Sequence, residues 1–401
     1  MAPDALVPGY KNYNNMPLSF EFATATRIVF GDGAARQIAP AATSLGRRAL
    51  RVIGRERERD TALTAELTAA GVSTCPFMVE GEPTVQLVQR GAQTAREENC
   101  DLVIALGGGS VIDAAKAIAA LLTNPGDLMD YLEVVGKGTP LPNPGAPFIA
   151  APTTAGTGAE VTRNAVLGVP ERRVKVSLRS PLLLPRLTVV DPELTLGLPP
   201  AVTARTGLDA LTQLIEAYVS VRANPMTDGF CTQGIPLAAR SLRRAFEHGD
   251  DLAARRDMSL AALLSGLALA NAGLGVVHGF AAPLGGRFPA PHGAVCAAIL
   301  PHGIAMNLRA LRARAAETEA LRRYEHVARL LTGRSAATAE DAVAWTRTVC
   351  SDLAIPPLAT YGLTSDDLPG LVADASKASS MKGNPIVLTA EELTEVLRQA
   401  L

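Results

Sequence analysis

The feature that most constrains the fold is a glycine-rich turn between an apolar strand and a helix. Residues 101–119, DLVIALGGGSVIDAAKAIA, run from a predicted buried strand into Gly107, Gly108 and Gly109 and then into a helical stretch. Glycine lets a ligand approach the backbone closely, and the N–H groups at the start of a helix favour a phosphate. The turn therefore predicts phosphate binding. A tight strand-to-helix turn without a ligand has the same pattern, and the G-x-G-x-x-G spacing of the common dinucleotide fingerprint is absent.

Around this turn, the first half of the chain alternates short apolar runs with helical stretches. The predicted strands are 48–53, 101–106, 147–151 and 187–190, and the predicted helices are 59–71, 83–98 and 110–122. Strands that alternate with helices predict βαβ units and a mainly parallel sheet.

From about Pro199 onward the chain is rich in Ala and Leu at helical spacing. Helices are predicted at 201–219, 228–246, 251–273, 293–307, 317–331, 338–353 and 390–400. Because 401 residues exceed one typical core, two domains are expected. We predict an α/β domain over residues 1–198 and an all-helical domain over residues 199–401.

The composition excludes several classes of protein. A hydrophobic content of 48% is ordinary for a globular protein, and a net charge of −1 provides no basic field for nucleic acid or acidic lipid. The N-terminus lacks the pattern of a signal peptide, and apolar runs are interrupted well short of about 18 residues. We therefore expect a cytoplasmic protein with no nucleic-acid partner and no membrane span. Its five single cysteines suit a reducing compartment, mostly as small buried apolar residues.

A second polar cluster, APTTAGTGAEVT at residues 151–162, follows the strand predicted at 147–151. It contains Thr153, Thr154 and Thr157. Open α/β sheets bind ligands at the carboxyl ends of their strands, so two such clusters favour a shared dinucleotide cleft. A threonine-rich loop with local side-chain-to-backbone hydrogen bonds is the alternative.

A candidate metal site lies in the second half. Glycine and proline surround His278 and His292, which predicts bends that bring the two rings to a common point. Upstream, Asp209 and Gln213 are four residues apart, on one face of a predicted helix. One carboxylate with two imidazoles suits Zn²⁺ or Fe²⁺. Histidines in ordinary loops and a solvated aspartate remain the alternative.

Taken together, these segments resemble the iron-containing (group III) alcohol dehydrogenase family. The matching stretches, in chain order, are FGDGA, GGGSVIDAAKAIA, PTTAGTGAEVT, DPELTLGLPP, TGLDALTQLIEAY, HGFAAPLGG and PHG. The resemblance implies the dehydroquinate synthase-like fold of that family, with an α/β dinucleotide-binding domain, an all-helical domain and a cleft between them. It also implies a homodimer or larger homo-oligomer.

The resemblance also implies residue roles in cofactor binding. The pyrophosphate is expected at Gly108, Gly109 and Ser110 with Asp113 close by, the nicotinamide side at Thr153, Thr154 and Thr157, and a ribose at Lys175.

For the metal, the resemblance implies Asp209, His278 and His292 as ligands, and the two histidines keep the family's spacing of fourteen. His278 and His292 are also the predicted catalytic residues. Two positions depart from the family pattern. Gln213 stands where a further histidine ligand is expected, so metal affinity should fall or the site should be empty. Ala282 stands where a histidine is the usual candidate to relay a proton.

The cofactor type is indicated by the end of the strand at 48–53. Gly54, Arg55 and Arg57 follow it, where an acidic residue would select a free 2′-hydroxyl. This pattern slightly favours NADP(H) over NAD(H), although both arginines also suit a solvated surface.

The leading functional prediction is an NAD(P)-dependent oxidoreductase, an alcohol dehydrogenase or carbonyl reductase. It would interconvert a small alcohol and its aldehyde or ketone by hydride transfer, with a cation that polarises the oxygen. One alternative is a metal-free oxo-acid reductase similar to maleylacetate reductases, in which His278 and His292 donate hydrogen bonds or protons. Another is a protein that binds dinucleotide without turnover. Retention of Asp209 favours the metal-assisted reaction.

Overall fold

A computed structural model describes residues 19–55 and 57–401, and for Arg57 it describes the backbone only. The chain forms two compact units. The α/β unit comprises Ala23–Leu198 and Gly249–Gly266. The helical unit comprises Pro199–His248, Leu267–Leu401 and the described residues 19–22.

The α/β unit contains eight strands within the described residues. They are β1 Ile28–Phe30, β2 Arg48–Ile53, β3 Ser73–Met78, β4 Leu102–Gly107, β5 Phe148–Pro152, β6 Asn164–Val169, β7 Val174–Arg179 and β8 Leu187–Val190. Six of them form a parallel sheet in the order β1-β8-β5-β4-β2-β3, and β6 and β7 form a separate antiparallel hairpin.

Helices connect these strands and form the second unit. The helices before Pro199 are α1 Ile38–Ala42, α2 Arg57–Ala69, α3 Val85–Glu97, α4 Gly109–Thr123 and α5 Leu128–Tyr131. The later helices are α6 Pro200–Val219, α7 Pro225–Glu247, α8 Leu252–Ala272, α9 Val276–Arg287, α10 His292–Arg314, α11 Glu319–Thr332, α12 Ala339–Asp352, α13 Leu368–Ala375 and α14 Ala390–Ala400.

Strand β4 shows why the sheet is apolar on both faces. All six of its residues are buried. Val103 and Ala105 belong to one apolar cluster, while Ile104 and Leu106 belong to another. Alternate side chains point to opposite faces, so both faces are covered, as in parallel sheets generally. The predicted α/β class with a mainly parallel sheet is confirmed.

Elements that the sequence did not predict have weak local signals. Strand β3 contains Pro76 and polar residues, and it lies at an edge of the six-stranded sheet, where proline is tolerated. Helix α9 contains three glycines and an internal proline within twelve residues. Both elements depend on packing more than on intrinsic propensity.

The chain passes from the first long segment of the α/β unit to the helical unit between Leu198 and Pro199. One segment differs from the predicted division, because residues 249–266 pack with the α/β unit. The reason is a backbone contact between two glycines. Gly158 has a φ of +60°, and a Cβ there would lie 2.4 Å from the Cα of Gly266. Only glycine at both positions allows this approach.

Helix α10 is long and apolar enough to cross a membrane, with a mean hydropathy of 1.4. Helices α8 and α9 would pass the same test only as a pair bent by 97°. Most of the apolar window of α10, 78%, is buried inside the protein, and core helices pass this test too. Length and composition are therefore weak evidence for a span, and burial explains the apolar character of α10.

Candidate active site and metal centre

The glycine-rich turn and the threonine cluster lie side by side in the α/β unit. Strand β4 ends at Gly107, and α4 begins at Gly109. Gly107 pairs with Pro152 at the end of β5, and its carbonyl accepts a hydrogen bond of 3.0 Å from the N–H of Thr153. Both predicted clusters thus form one surface at the carboxyl ends of two adjacent strands.

Two of the three glycines of this turn pack closely against threonines of the second cluster. A Cβ on Gly109 would lie 2.7 Å from Oγ1 of Thr157, and a Cβ on Gly108 would lie 3.3 Å from Oγ1 of Thr154. Ser110 is half-buried in the first turn of α4. The turn therefore presents backbone and hydroxyl groups at the N-terminus of a fifteen-residue helix.

Two other predicted cofactor residues have structural partners. The Oδ2 atom of Asp113 accepts a hydrogen bond of 3.1 Å from the N–H of Val166 on β6. Lys175 on β7 has an ion pair of 3.2 Å with Glu82. These contacts place both side chains, and their roles toward a cofactor stay predictions.

A buried polar pair beside this turn was not predicted. The ammonium group of Lys116 on α4 donates hydrogen bonds of 2.8 to 2.9 Å to Thr162 and Asn164. Burial lowers the pKa of Lys116 to about 8. Burial likewise raises the pKa of the Glu160 carboxyl to about 7. The available signal was a charged residue on the apolar face of a predicted helix.

At the end of β2, Arg55 is highly exposed, and its Nε lies 3.7 Å from Oε1 of Glu80. The side chain of Arg57 lies outside the described residues. The preference for NADP(H) therefore stays a prediction.

In the helical unit, three helices bring four potential metal ligands together. Asp209 lies on α6, His278 on α9, and both His292 and Cys296 on α10. One ligand atom from each of the four residues lies within 4.8 Å of all the others. The Oδ1 atom of Asp209 is 3.4 Å from Nε2 of His278 and 3.7 Å from Nε2 of His292. The structure thus brings all three predicted metal residues to one point.

Local sequence explains how α10 approaches α6. Pro291 precedes the first residue of α10, and Gly293 follows it. A Cβ on Gly293 would lie 2.2 Å from the carbonyl oxygen of Arg205 and 3.3 Å from Cβ of Asp209. The first turn of α10 therefore packs directly against the α6 backbone, which places His292 beside Asp209.

Glu216 on α6, which the sequence motifs did not indicate, positions His278. Its Oε2 atom is 2.6 Å from Nδ1 of His278. The same carboxylate accepts hydrogen bonds from the N–H groups of Val277 and His278, in the first turn of α9. A proton on Nδ1 then points to Glu216 and leaves the Nε2 lone pair for a cation. The signal was the seven-residue spacing from Asp209, two helical turns along one face.

The five cysteines were predicted to be mostly small buried apolar residues, and Cys296 was not singled out. It is fully buried, and its Sγ atom is 3.7 Å from Nε2 of both His278 and His292. Its position four residues after His292 on the same helix was the signal that could have indicated it.

The two departures from the family pattern have clear local outcomes. The amide nitrogen of Gln213 donates a hydrogen bond of 3.2 Å to Oδ2 of Asp209. Gln213 therefore orients the carboxylate. Ala282 is half-buried on α9 and has no group that could carry a proton.

The charges of the cluster suit a cation. Burial alone would raise the pKa of Asp209, but His292 and His278 lower it below its usual range. Burial opposes a charge on His292, yet Cys296 and Asp209 raise its pKa to about 9, and similar contacts raise the pKa of His278. The buried carboxylate of Asp209 thus stabilises positive charge at this point.

The donor set fits a divalent metal ion. The Oδ1 atom of Asp209 is buried without a hydrogen-bond partner among residues 19–55 and 57–401. A buried carboxylate oxygen without a partner is costly, and a metal bond would satisfy it. Carboxylate, imidazole and thiol are all groups that bind Zn²⁺ or Fe²⁺ in proteins.

One unit thus contains a turn suited to a phosphate and the other contains a cluster suited to a metal ion, and sequence comparison identifies the family. The family model described as "Iron-containing alcohol dehydrogenase" matches residues 25–192, and the model described as "Fe-containing alcohol dehydrogenase family, C-terminal" matches residues 203–401. The chain belongs to the iron-containing alcohol dehydrogenase family, as its motifs predicted, and its chemistry is that of alcohols and aldehydes.

Relatives of known activity cover most of the chain. The 1,3-propanediol dehydrogenase of Klebsiella pneumoniae is 39% identical over 83% of this chain and 85% of its own. The NAD-dependent methanol dehydrogenase of Bacillus methanolicus is 33% identical over 93% of this chain and 97% of its own. Such similarity supports a small-molecule alcohol substrate in general terms.

Solved structures share the whole fold. A 1,3-propanediol oxidoreductase superimposes with a TM-score of 0.89 at 35% identity, covering 96% of this chain and all of the other. A sulfoacetaldehyde reductase from Bifidobacterium kashiwanohense, solved in complex with NAD+, has a TM-score of 0.82 at 27% identity, covering 95% of this chain and 98% of the other. The family and these neighbours support a nicotinamide dinucleotide and a metal as cofactors in general terms.

Proposed function

We propose that this protein is an NAD(P)-dependent, metal-assisted oxidoreductase that interconverts a small primary alcohol and its aldehyde. The observation that carries the proposal is the convergence of Asp209, His278 and His292 on one point, with a buried carboxylate oxygen left without a hydrogen bond. The choice of primary alcohols rests on the substrates named for the relatives, propanediol and methanol among them.

The dinucleotide is proposed to bind along the surface formed by the turn after β4 and the loop after β5. Gly108, Gly109 and Ser110 would hold the pyrophosphate at the start of α4. The hydroxyls after β5 and the ammonium group of Lys175 would contact the nicotinamide and ribose. When bound, the dinucleotide supplies or accepts the hydride. NADP(H) remains slightly favoured by Gly54 and Arg55.

Asp209, His278 and His292 would hold the metal, whose chemistry when bound is to polarise the substrate oxygen. The protein's own contribution is orientation. Glu216 fixes the ring of His278 through Nδ1, and Gln213 fixes the carboxylate of Asp209. Burial of His278 and Asp209 keeps water from the ligand side of the cluster.

A metal-free oxo-acid reductase is the second candidate, and one observation favours it. Neighbouring polar groups raise the pKa of both imidazoles against the effect of burial, that of His292 to about 9, which favours their protonated forms. Two imidazolium groups could donate hydrogen bonds or a proton to an oxo-acid.

A single experiment separates these functions. Purified protein is analysed for metals, and turnover of an alcohol and aldehyde panel is then measured with each nicotinamide cofactor before and after chelation. Activity that chelation removes and a divalent metal restores supports the proposal. Activity on oxo-acids in metal-free protein supports the second candidate. Tight dinucleotide binding without turnover on any substrate would mean that the chain only binds the cofactor.

We also propose that the protein is cytoplasmic and forms a homodimer or larger homo-oligomer. Light scattering coupled to size-exclusion chromatography measures the second point directly. A monomer at micromolar concentration would contradict it.

A further inference from the structure

We propose that Cys296 is the fourth ligand of the metal, as a thiolate, and that the resulting site prefers Zn²⁺ to Fe²⁺. This inference rests on the proposed function only in assuming that the cluster binds a metal. It assigns a ligand beyond the carboxylate and the two histidines of the predicted metal set.

Distances support a four-coordinate site. Metal bonds of about 2.0 to 2.3 Å place neighbouring donors of a tetrahedron about 3.3 to 3.7 Å apart. The Sγ atom of Cys296 is 3.7 Å from Nε2 of His278 and from Nε2 of His292. The Oδ1 atom of Asp209 is 3.4 and 3.7 Å from the same two nitrogens. These four separations match those of neighbouring donors in a tetrahedral zinc site, and one ligand atom from each residue lies within 4.8 Å of all the others.

The helix positions explain how a cysteine can replace a ligand from another helix. Cys296 follows His292 by one turn of α10, so both side chains lie on the face that packs against α6. Gln213 lies one turn after Asp209 on α6, but its amide nitrogen donates to that carboxylate. The Gln213 amide is thus engaged with the carboxylate, whereas the sulfur of Cys296 lies 3.7 Å from both imidazole nitrogens. Cys296 on α10 is therefore the better-placed fourth ligand.

The charge and the softness of these four ligands favour Zn²⁺ over Fe²⁺. One carboxylate and one thiolate would neutralise a divalent ion, and two neutral imidazoles would complete the protein ligands. A substrate oxygen would then have to add as a fifth ligand. Thiolate ligands favour zinc, whereas a site of imidazole and carboxylate accepts Fe²⁺ readily. Because zinc has no redox chemistry, the site would also keep its activity in air.

The first test uses Co²⁺ as a probe in the metal-free full-length protein. A cobalt–thiolate bond gives a charge-transfer band in the near ultraviolet that nitrogen and oxygen ligands do not give. We expect this band in the unmodified protein and in Cys350→Ser, whose half-buried thiol contacts the carbonyl of Ala297 on α10. We expect Cys296→Ser to lose the band and to bind Co²⁺ at least tenfold more weakly. A band that persists in Cys296→Ser, or that is absent from the unmodified protein, would overturn the proposal.

The second test needs no variant and holds even if Cys296→Ser fails to fold. X-ray absorption of the zinc-loaded unmodified protein should show one sulfur at about 2.3 Å beside nitrogen and oxygen at about 2.0 to 2.2 Å. A shell of nitrogen and oxygen alone would overturn the proposal. When equal Zn²⁺ and Fe²⁺ are offered without oxygen, zinc should occupy most sites, and a majority of iron would overturn the stated preference.

The outcomes also separate this inference from the proposed function. A sulfur ligand in a protein that turns over no alcohol would contradict the function and leave the ligand assignment intact. Metal-dependent turnover with no sulfur ligand would support the function and contradict the ligand assignment.

Discussion

The turn after β4 and the cluster on the helical unit differ in how their sequence specifies a site. The turn is contiguous: strand, glycines and helix follow each other within residues 101–119, and every motif residue is present. The cluster draws its donors from three helices between Asp209 and Cys296, and two expected histidines are replaced. A binding turn made of backbone groups does not tolerate substitution of its glycines. A site made of side chains tolerates the loss of one ligand if a residue on another helix supplies a donor atom at the same point.

The largest effect should come from a side chain placed in the turn. Gly109→Val would put branched carbon where a Cβ already lies 2.7 Å from Oγ1 of Thr157, and it would block the approach of a phosphate. We expect dinucleotide binding to fall below detection by calorimetry.

The matched control is Gly229→Ala, because a Cβ at that helical glycine has nothing within 4 Å. It should bind dinucleotide normally. Cobalt binding by Gly109→Val should be unchanged if the damage is confined to the turn. Normal dinucleotide affinity in Gly109→Val would show that the cofactor binds elsewhere.

The next effect should come from the cluster. His292→Ala would remove a proposed metal ligand and should lower kcat by at least about a thousandfold, with dinucleotide affinity within about twofold of normal. The control is His302→Ala, which should retain turnover. His302 lies on the same helix, but its ring is hydrogen-bonded to Gln399. Full activity in His292→Ala would contradict the placement of the active site.

The same contrast explains what the sequence could predict. Strands such as 48–53 and 187–190 were predicted at their observed bounds because apolar runs flanked by polar residues are local signals. Helix α9 was not predicted, because its N-terminus is held by Glu216 from α6 and by Asn384, both far away in sequence. Intrinsic helix propensity depends on the local sequence and therefore does not reflect such distant partners.

The site follows the same rule. Asp209, His278 and His292 were predicted from spacing and family motif. Cys296 and Glu216 were not, although each lies one or two helical turns from a predicted residue. Their importance depends on which faces of α6, α9 and α10 meet, and that is set by tertiary contacts such as Gly293 against Arg205.

A double variant tests whether a histidine on α6 can replace Cys296 as the fourth ligand. Gln213→His combined with Cys296→Ala should restore a site of one carboxylate and three imidazoles. We expect the ratio of zinc to iron, measured by elemental analysis after loading with both, to fall by about ten- to a hundredfold. An unchanged ratio would mean that the fourth ligand does not determine the metal.

Removing the orienting carboxylate should have a smaller effect than removing a ligand. Glu216→Gln keeps the size of the side chain but replaces the anion at Nδ1 of His278. Such partners typically contribute about ten- to a hundredfold to metal affinity. Cobalt titration should show a loss in this range, with the thiolate band retained. A complete loss of binding would instead indicate that the variant disrupts the start of α9.

The smallest effect concerns the buried pair beside the turn in the α/β unit. The pKa of Glu160 is raised to about 7 because burial penalises its charged form. A carboxyl with a raised pKa stabilises the folded state at low pH, and this contribution is lost as pH rises from about 4.5 through 7.

The variant Glu160→Gln removes this titration and keeps the shape of the side chain. The variant should therefore gain stability relative to the unmodified protein across that pH range, by about 1 to 3 kcal/mol. Urea unfolding of both proteins at several pH values gives the difference directly, since all other carboxyls titrate in both. A difference that stays constant with pH would mean that Lys116, which lies close enough to oppose the shift, holds Glu160 charged throughout.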